Sequence, residues 1–121
     1  MRKLVVSLAL VAALAPAAAL AGGWATVKLS STPTGSQAGV PWVVDLTVLQ
    51  HGQTPLADVS PQVQIFQGTV TRSFLARPTA KTGIYRARVV FPRAGMWRWQ
   101  IWDGFSRTHT YRQVKVTRAL T

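Results

Sequence analysis

The sequence predicts an all-β fold, an immunoglobulin-like β-sandwich of about seven antiparallel strands, behind a cleaved N-terminal signal peptide. Three observations predict it. Beyond the first residues, no segment repeats its apolar positions at helical spacing, and Pro and Gly recur often enough to interrupt any helix. Short runs alternate apolar and polar residues with a period of two. Turn residues separate those runs at intervals of about eight to twelve, the rhythm of a sandwich. An open barrel of the OB type ranks second, since it has fewer strands and usually carries a helix.

The elements follow in order. Trp24–Ser30 is the first strand, with Ala25, Val27 and Leu29 on one face and Thr26 and Lys28 on the other. Gly39-Val40-Pro41 leads into a second, Trp42–Gln50, where Trp42, Val44, Leu46 and Val48 point inward and Asp45 and Thr47 outward. His51–Pro61, with Gly52, Pro55 and Pro61, is a loop. Gln62–Gln67 is a third strand with Val63 and Ile65 inward, and Gly68 turns into a weakly alternating fourth, Val70–Arg77. The clearest alternation is Gly83–Phe91, with Tyr85, Ala87, Val89 and Phe91 inward and Arg86 and Arg88 outward. A tight connection, Pro92–Gly95, precedes Met96–Asp103, in which Trp97, Trp99 and Ile101 share the inner face. His109–Thr117 closes the set, with Val114 and Val116 inward.

Ahead of these strands, Arg2 and Lys3 precede a short apolar stretch, Leu4–Ala15. Ala19-Leu20-Ala21 then offers the small residues a signal peptidase accepts, so cleavage is expected after Ala21. A permanent span needs roughly 20 apolar residues, and here Pro16 interrupts a stretch built mostly of Ala. Residues 1–21 are therefore read as a signal peptide and 22–121 as one domain, periplasmic or extracellular, with no membrane span after cleavage. The chain has no Cys, which excludes disulfides, thiolate metal sites, a Cys nucleophile and a lipid-modified Cys anchor.

The motifs Gly23-Trp24-Ala25-x-Val27-x-Leu29, Ala38-Gly39-x-Pro41 and Leu46–Gly52 open the domain. Gly83-x-Tyr85-x-Ala87-x-Val89-x-Phe91-Pro92-x-Ala94-Gly95-x-Trp97-x-Trp99 forms its second half. Over nearly the whole mature chain this pattern resembles the YtkA-like/FixH-like family of small exported β-sandwich domains. The resemblance implies the same fold and compartment. Some members are linked to assembly of copper-containing respiratory oxidases, so a copper-handling accessory role is the alternative function it implies.

Chemistry is sparse. The net charge is +11, from 14 Lys and Arg against three acids, Asp45, Asp58 and Asp103. With no Glu, the carboxylate pairs or carboxylate-oriented histidines of acid–base catalysis have little to draw on, and no enzyme is expected. Ser106 and His109 lie near Asp103, but without a G-x-S-x-G elbow this run reads as a turn between the last two strands. In an immunoglobulin-like topology that turn and the His51 loop occupy one end of the sandwich. His51, His109 and Asp103 are therefore the candidate metal ligands, imidazole suiting Cu(II) or Zn(II). Met96 follows the turn at the opposite end and is excluded from that set.

The basic surface offers a second site. Arg72, Arg77, Arg86 and Arg88 are expected on the outer face of the sheet holding the first, second, fourth and fifth strands. On the other sheet, Arg98 and Lys115 flank Trp102 and Tyr111, all four pointing outward as a partner-binding face. Such a face fits an anionic envelope surface or an acidic envelope protein. Export argues against nucleic acid as the partner. Trp42, Trp97 and Trp99 have inward parity and belong to the core, leaving Trp102 and Trp24 as contact residues. The expected function is an exported, non-enzymatic binding or assembly module of the bacterial cell envelope, acting through loops or a basic sheet face.

Overall fold

The computed structural model describes residues 23–119, so the signal peptide read over residues 1–21 lies outside the described residues. Period-two alternation resolves into ten extended pieces: β1 (Ala25–Leu29), β2 (Trp42–Gln50), β3 (Thr54–Pro55), β4 (Gln62–Gln67), β5 (Val70–Leu75), β6 (Arg77–Pro78), β7 (Ile84–Val89), β8 (Gly95–Trp102), β9 (Thr108–Thr110) and β10 (Val114–Val116). They pair antiparallel in two sheets. The first runs β1-β2-β7-β6, with β3 also on β2. The second runs β10-β8-β4-β5, with β9 also on β8. Among the described residues no helix is long and apolar enough to cross a membrane.

The inward side chains of each sheet meet in one core. Trp42, Val44, Leu46 and Val48 of β2 and Tyr85, Ala87 and Val89 of β7 are buried, as are Val63 and Ile65 of β4 and Trp97, Trp99 and Ile101 of β8. Each inward indole also needs an acceptor for its N–H. Trp42 donates to the Ser31 hydroxyl, Trp97 to the Arg93 carbonyl and Trp99 to the Arg112 carbonyl, each at 2.9 Å. The rings interlock across the core. Trp42 meets Trp99 edge-on with centroids 5.6 Å apart, and Phe91 meets Trp97 at the same separation. Pairs of this geometry add about 0.5–1.5 kcal/mol beyond the area they bury.

Two expected strands are broken, and both breaks matter. Val70–Arg77 divides between sheets: β5 pairs with β4, whereas β6 pairs with β7 across the sandwich. The crossing falls at Ala76, whose small side chain is buried and whose N–H still donates to the Pro61 carbonyl at 2.9 Å. Arg72 consequently belongs to the second sheet, not the first, while Arg77 stays on the first opposite Arg86. The poor alternation of this run reflects that change of sheet. His109–Thr117 is also interrupted, between β9 and β10. There Tyr111 turns inward and stacks on Trp99, with centroids 4.2 Å apart and planes 8° from parallel. Offset stacking on a core indole holds the ring better than exposure would.

Candidate functional site

At one end of the sandwich the β8–β9 turn closes around a single carboxylate. Asp103 directly follows β8 and is fully buried. Its Oδ1 accepts the backbone N–H groups of Phe105 (2.7 Å), Ser106 (2.6 Å) and Arg107 (3.2 Å). Its Oδ2 accepts the Ser106 hydroxyl at 2.8 Å and lies 2.9 Å from His109 Nε2. Burial by itself raises the carboxyl pKa. The donors outweigh it, led by the Ser106 N–H and the His109 ring, and hold Asp103 below the ordinary carboxylate range. An ionised carboxylate only accepts, so the proton in the His109 contact is carried on Nε2. Gly104 completes the turn with φ +80, and its bare Cα lets the turn rest on the Ser60–Pro61 backbone.

This cluster brings Ser106, Asp103 and His109 together, but in an order that does not activate a serine. In a hydrolytic triad the imidazole stands between hydroxyl and carboxylate. Here the carboxylate stands between hydroxyl and imidazole, and the Ser106 oxygen also accepts the Ala25 N–H at 3.1 Å. The cluster therefore joins the β8–β9 turn to the start of β1. The run was legible as a turn; the share of it that one carboxylate organises was not. An Asp two to four residues ahead of free backbone N–H groups, followed by Gly, is the sequence signal for such a turn.

The expected metal set is not assembled. Among the described residues, no group of three or more His, Cys, Asp or Glu side chains is arranged to hold a metal ion. Both Asp103 oxygens are committed to protein donors, and His109 Nε2 is committed to Asp103. His51 reaches the same end of the molecule but serves a turn. His51 (φ 53) and Gly52 (φ 70) both have positive φ, as the central residues of a type I′ turn do, and Gln53 N–H donates to the Gln50 carbonyl at 3.0 Å. Its ring packs on Trp24, centroids 4.8 Å apart. These contacts lend no positive support to copper or zinc ligation by His51, His109 and Asp103.

The two outer faces differ in how their charge is compensated. On the first sheet Arg86 grips Asp45 through two hydrogen bonds, of 2.7 and 3.2 Å. That guanidinium lowers the Asp45 pKa, and Asp45 raises that of Arg86. Arg77 lies directly across from Arg86, and Arg88 across from Val43.

The second sheet presents Arg98, Trp102 and Lys115 outward as expected, and adds residues the sequence reading did not single out. Register places Gln62 between Trp102 and Leu75, Gln64 between Gln100 and Ser73, and Phe66 between Arg98 and Thr71. Gln100 Nε2 donates to Gln64 Oε1 at 2.7 Å, and the Arg98 guanidinium sits 5.3 Å from the Phe66 ring centroid. Lys115 pairs across from Met96, which is 51% exposed. None of the three acids lies on this face: Asp45 faces out from the first sheet, Asp58 is in a loop and Asp103 is buried. Tyr111, expected beside Trp102, is instead packed on Trp99, where burial raises its pKa. Phe66 and the glutamine pair could have been found by parity alone, once β4 was placed beside β8.

No known family's sequence profile matches the chain, and no curated protein matches it.

Proposed function

We propose that the chain is an exported, non-enzymatic docking module of the bacterial cell envelope, whose second sheet holds an anionic envelope surface. One observation carries the reading. The outer face of that sheet combines Arg98 and Lys115 with Trp102, Phe66, Met96 and Leu75 and holds no acid. Cations there lack the carboxylate that neutralises Arg86 on the first sheet. Uncompensated charge on a flat face raises the local concentration of anions and steers their approach. Trp102 and the exposed apolar neighbours add contact area at the headgroup level, where amphipathic rings are at home. Support for the non-enzymatic part comes from the Asp103 cluster, whose order leaves Ser106 without an imidazole to take its proton. The signal peptide and the YtkA-like/FixH-like resemblance agree with the compartment.

The test is sedimentation with vesicles of phosphatidylcholine with and without phosphatidylglycerol. Binding is expected only with the anionic lipid and should weaken as salt rises. Arg98→Gln and Lys115→Gln should each reduce it roughly fivefold, as for single cations near a charged surface. The corresponding pair on the other face, Arg77→Gln and Arg88→Gln, should have a smaller effect. Equal losses from the two pairs would remove the assignment to the second sheet.

A further inference from the structure

Between the two sheets, on the side where β1 and β9 are the outermost strands, the sandwich is fastened at two points and open between them. At one end the Ser106 hydroxyl accepts the Ala25 N–H. At the other, a parallel bridge joins Gln37 to Thr117, with Ala38 N–H donating to the Thr117 carbonyl at 2.9 Å and Thr117 N–H to the Ser36 carbonyl at 3.1 Å. A groove of about 450 Å³ lies along the gap, lined by Thr26 and Val27 on one wall and by Arg107–Tyr111 on the other. The opposite side of the sandwich differs, because there the chain itself crosses from β5 to β6.

The backbone of β1 turns a defined set of groups into that groove. In an antiparallel pair, alternate residues direct both N–H and C=O to the partner strand. Trp24 C=O accepts from His51 N–H and Ser30 N–H donates to Asp45 C=O, so the even-numbered residues bond to β2. Ala25, Val27 and Leu29 therefore direct their backbone groups away from β2. The bond from Ala25 N–H to Ser106 bears this out. With that first rung taken, Val27 and Leu29 are left, and among the described residues no strand pairs with this edge. An unpaired edge of this kind is a template for another extended chain.

Charge selects the occupant. Lys28 lies on β1 itself and Arg107 on the facing wall. Two acids lie near this edge: Asp103 is buried and hydrogen-bonded, and Asp45, beside Ser30 on β2, is held by the Arg86 guanidinium. A second copy would bring another strongly cationic domain to the same edge, which disfavours self-pairing. We propose that the slot between β1 and β9 takes an extended, acidic peptide segment of a partner protein, which adds to the first sheet along Val27 and Leu29. The five residues of β1 limit the paired stretch to about 17 Å. Side chains of the incoming strand alternate, one set over Val27 and Tyr111 and the other toward Lys28.

A short synthetic peptide of alternating valine and glutamate, capped at both ends, is the probe, with the valine–lysine version as control. Amide hydrogen exchange in the full domain reads the outcome residue by residue. The glutamate peptide should slow exchange at Val27 and Leu29 about tenfold or more, while the lysine peptide leaves it unchanged. Val27→Pro removes one edge N–H that β2 does not use and should abolish the protection at Leu29, the amide that remains to report it. Should that variant fold poorly, Arg107→Glu keeps the backbone intact and should weaken binding of the glutamate peptide alone. No protection at Val27 and Leu29, protection at β5 or β10 instead, or equal binding of both peptides each overturns the proposal. Protection that grows with protein concentration in the absence of peptide would assign the edge to a second copy and overturn it as well.

Discussion

Replacing Asp103 with Asn keeps size and shape but removes the charge around which the β8–β9 turn is built. The carboxylate takes five donors: three backbone N–H groups, the Ser106 hydroxyl and the His109 ring. A hydrogen bond to a charged group contributes about 1.5–3 kcal/mol, against about 0.5–1.5 for a neutral one. In the variant the amide oxygen can still accept the three N–H groups, at about 1 kcal/mol less each. The amide NH₂ then faces the Ser106 hydroxyl and His109, which can reverse their roles. The expected cost is about 3 kcal/mol, and about 4–5 for Asp103→Ala, which leaves five part-buried donors without that acceptor. Such a loss is large against a total of about 5–15 kcal/mol for a domain of this size. Urea unfolding followed by tryptophan fluorescence measures it directly.

The pH dependence provides the sharper check. Because the folded-state pKa of Asp103 is depressed, its stabilisation is complete above the unfolded-state value of about 3.9 and is lost as pH falls through the folded-state value. The difference between wild type and Asp103→Asn should thus be full at neutral pH and shrink below about pH 4. Asp45, whose pKa is also lowered, is present in both proteins and cancels. A difference that is under about 1 kcal/mol at neutral pH, or that does not change on acidification, refutes the account of the turn.

Two further substitutions probe the same end of the sandwich. Gly104→Ala combines an unfavourable positive φ with a Cβ only 2.6 Å from the Ser60 nitrogen, and should cost about 2–4 kcal/mol in urea unfolding; a neutral result would mean the turn does not rest on that backbone. Tyr85 donates to the Leu56 carbonyl at 2.6 Å and accepts the Val59 N–H at 3.3 Å, so Tyr85→Phe should lower stability by about 1–2 kcal/mol and speed amide exchange at Val59. Unchanged exchange at Val59 would show that the phenol does not hold that loop.

Parity read along the chain places the core residues correctly in β2, β4, β7 and β8, because a strand buried on one face must alternate. Trp42, Trp97 and Trp99 inside and Arg98, Trp102 and Lys115 outside follow from that rule alone. The rule fails where a strand leaves its sheet. Nothing local marks Ala76 as the crossing between sheets, and Tyr111 has outward parity only if β9 and β10 were one continuous strand.

Contacts between distant segments were decided by the tertiary structure. His51, Asp103 and His109 do reach one end of the molecule, as topology requires, yet the donors that fill Asp103 come from its own turn and from His109 of β9, and His51 is drawn to Trp24. The sequence by itself determined alternation, and through alternation the sandwich class and most of its core. Tertiary structure alone determined which carboxylate is saturated, which cations remain uncompensated and which strand edge stays open. Those properties depend on partners remote in the chain, and single-strand periodicity carries no information about them.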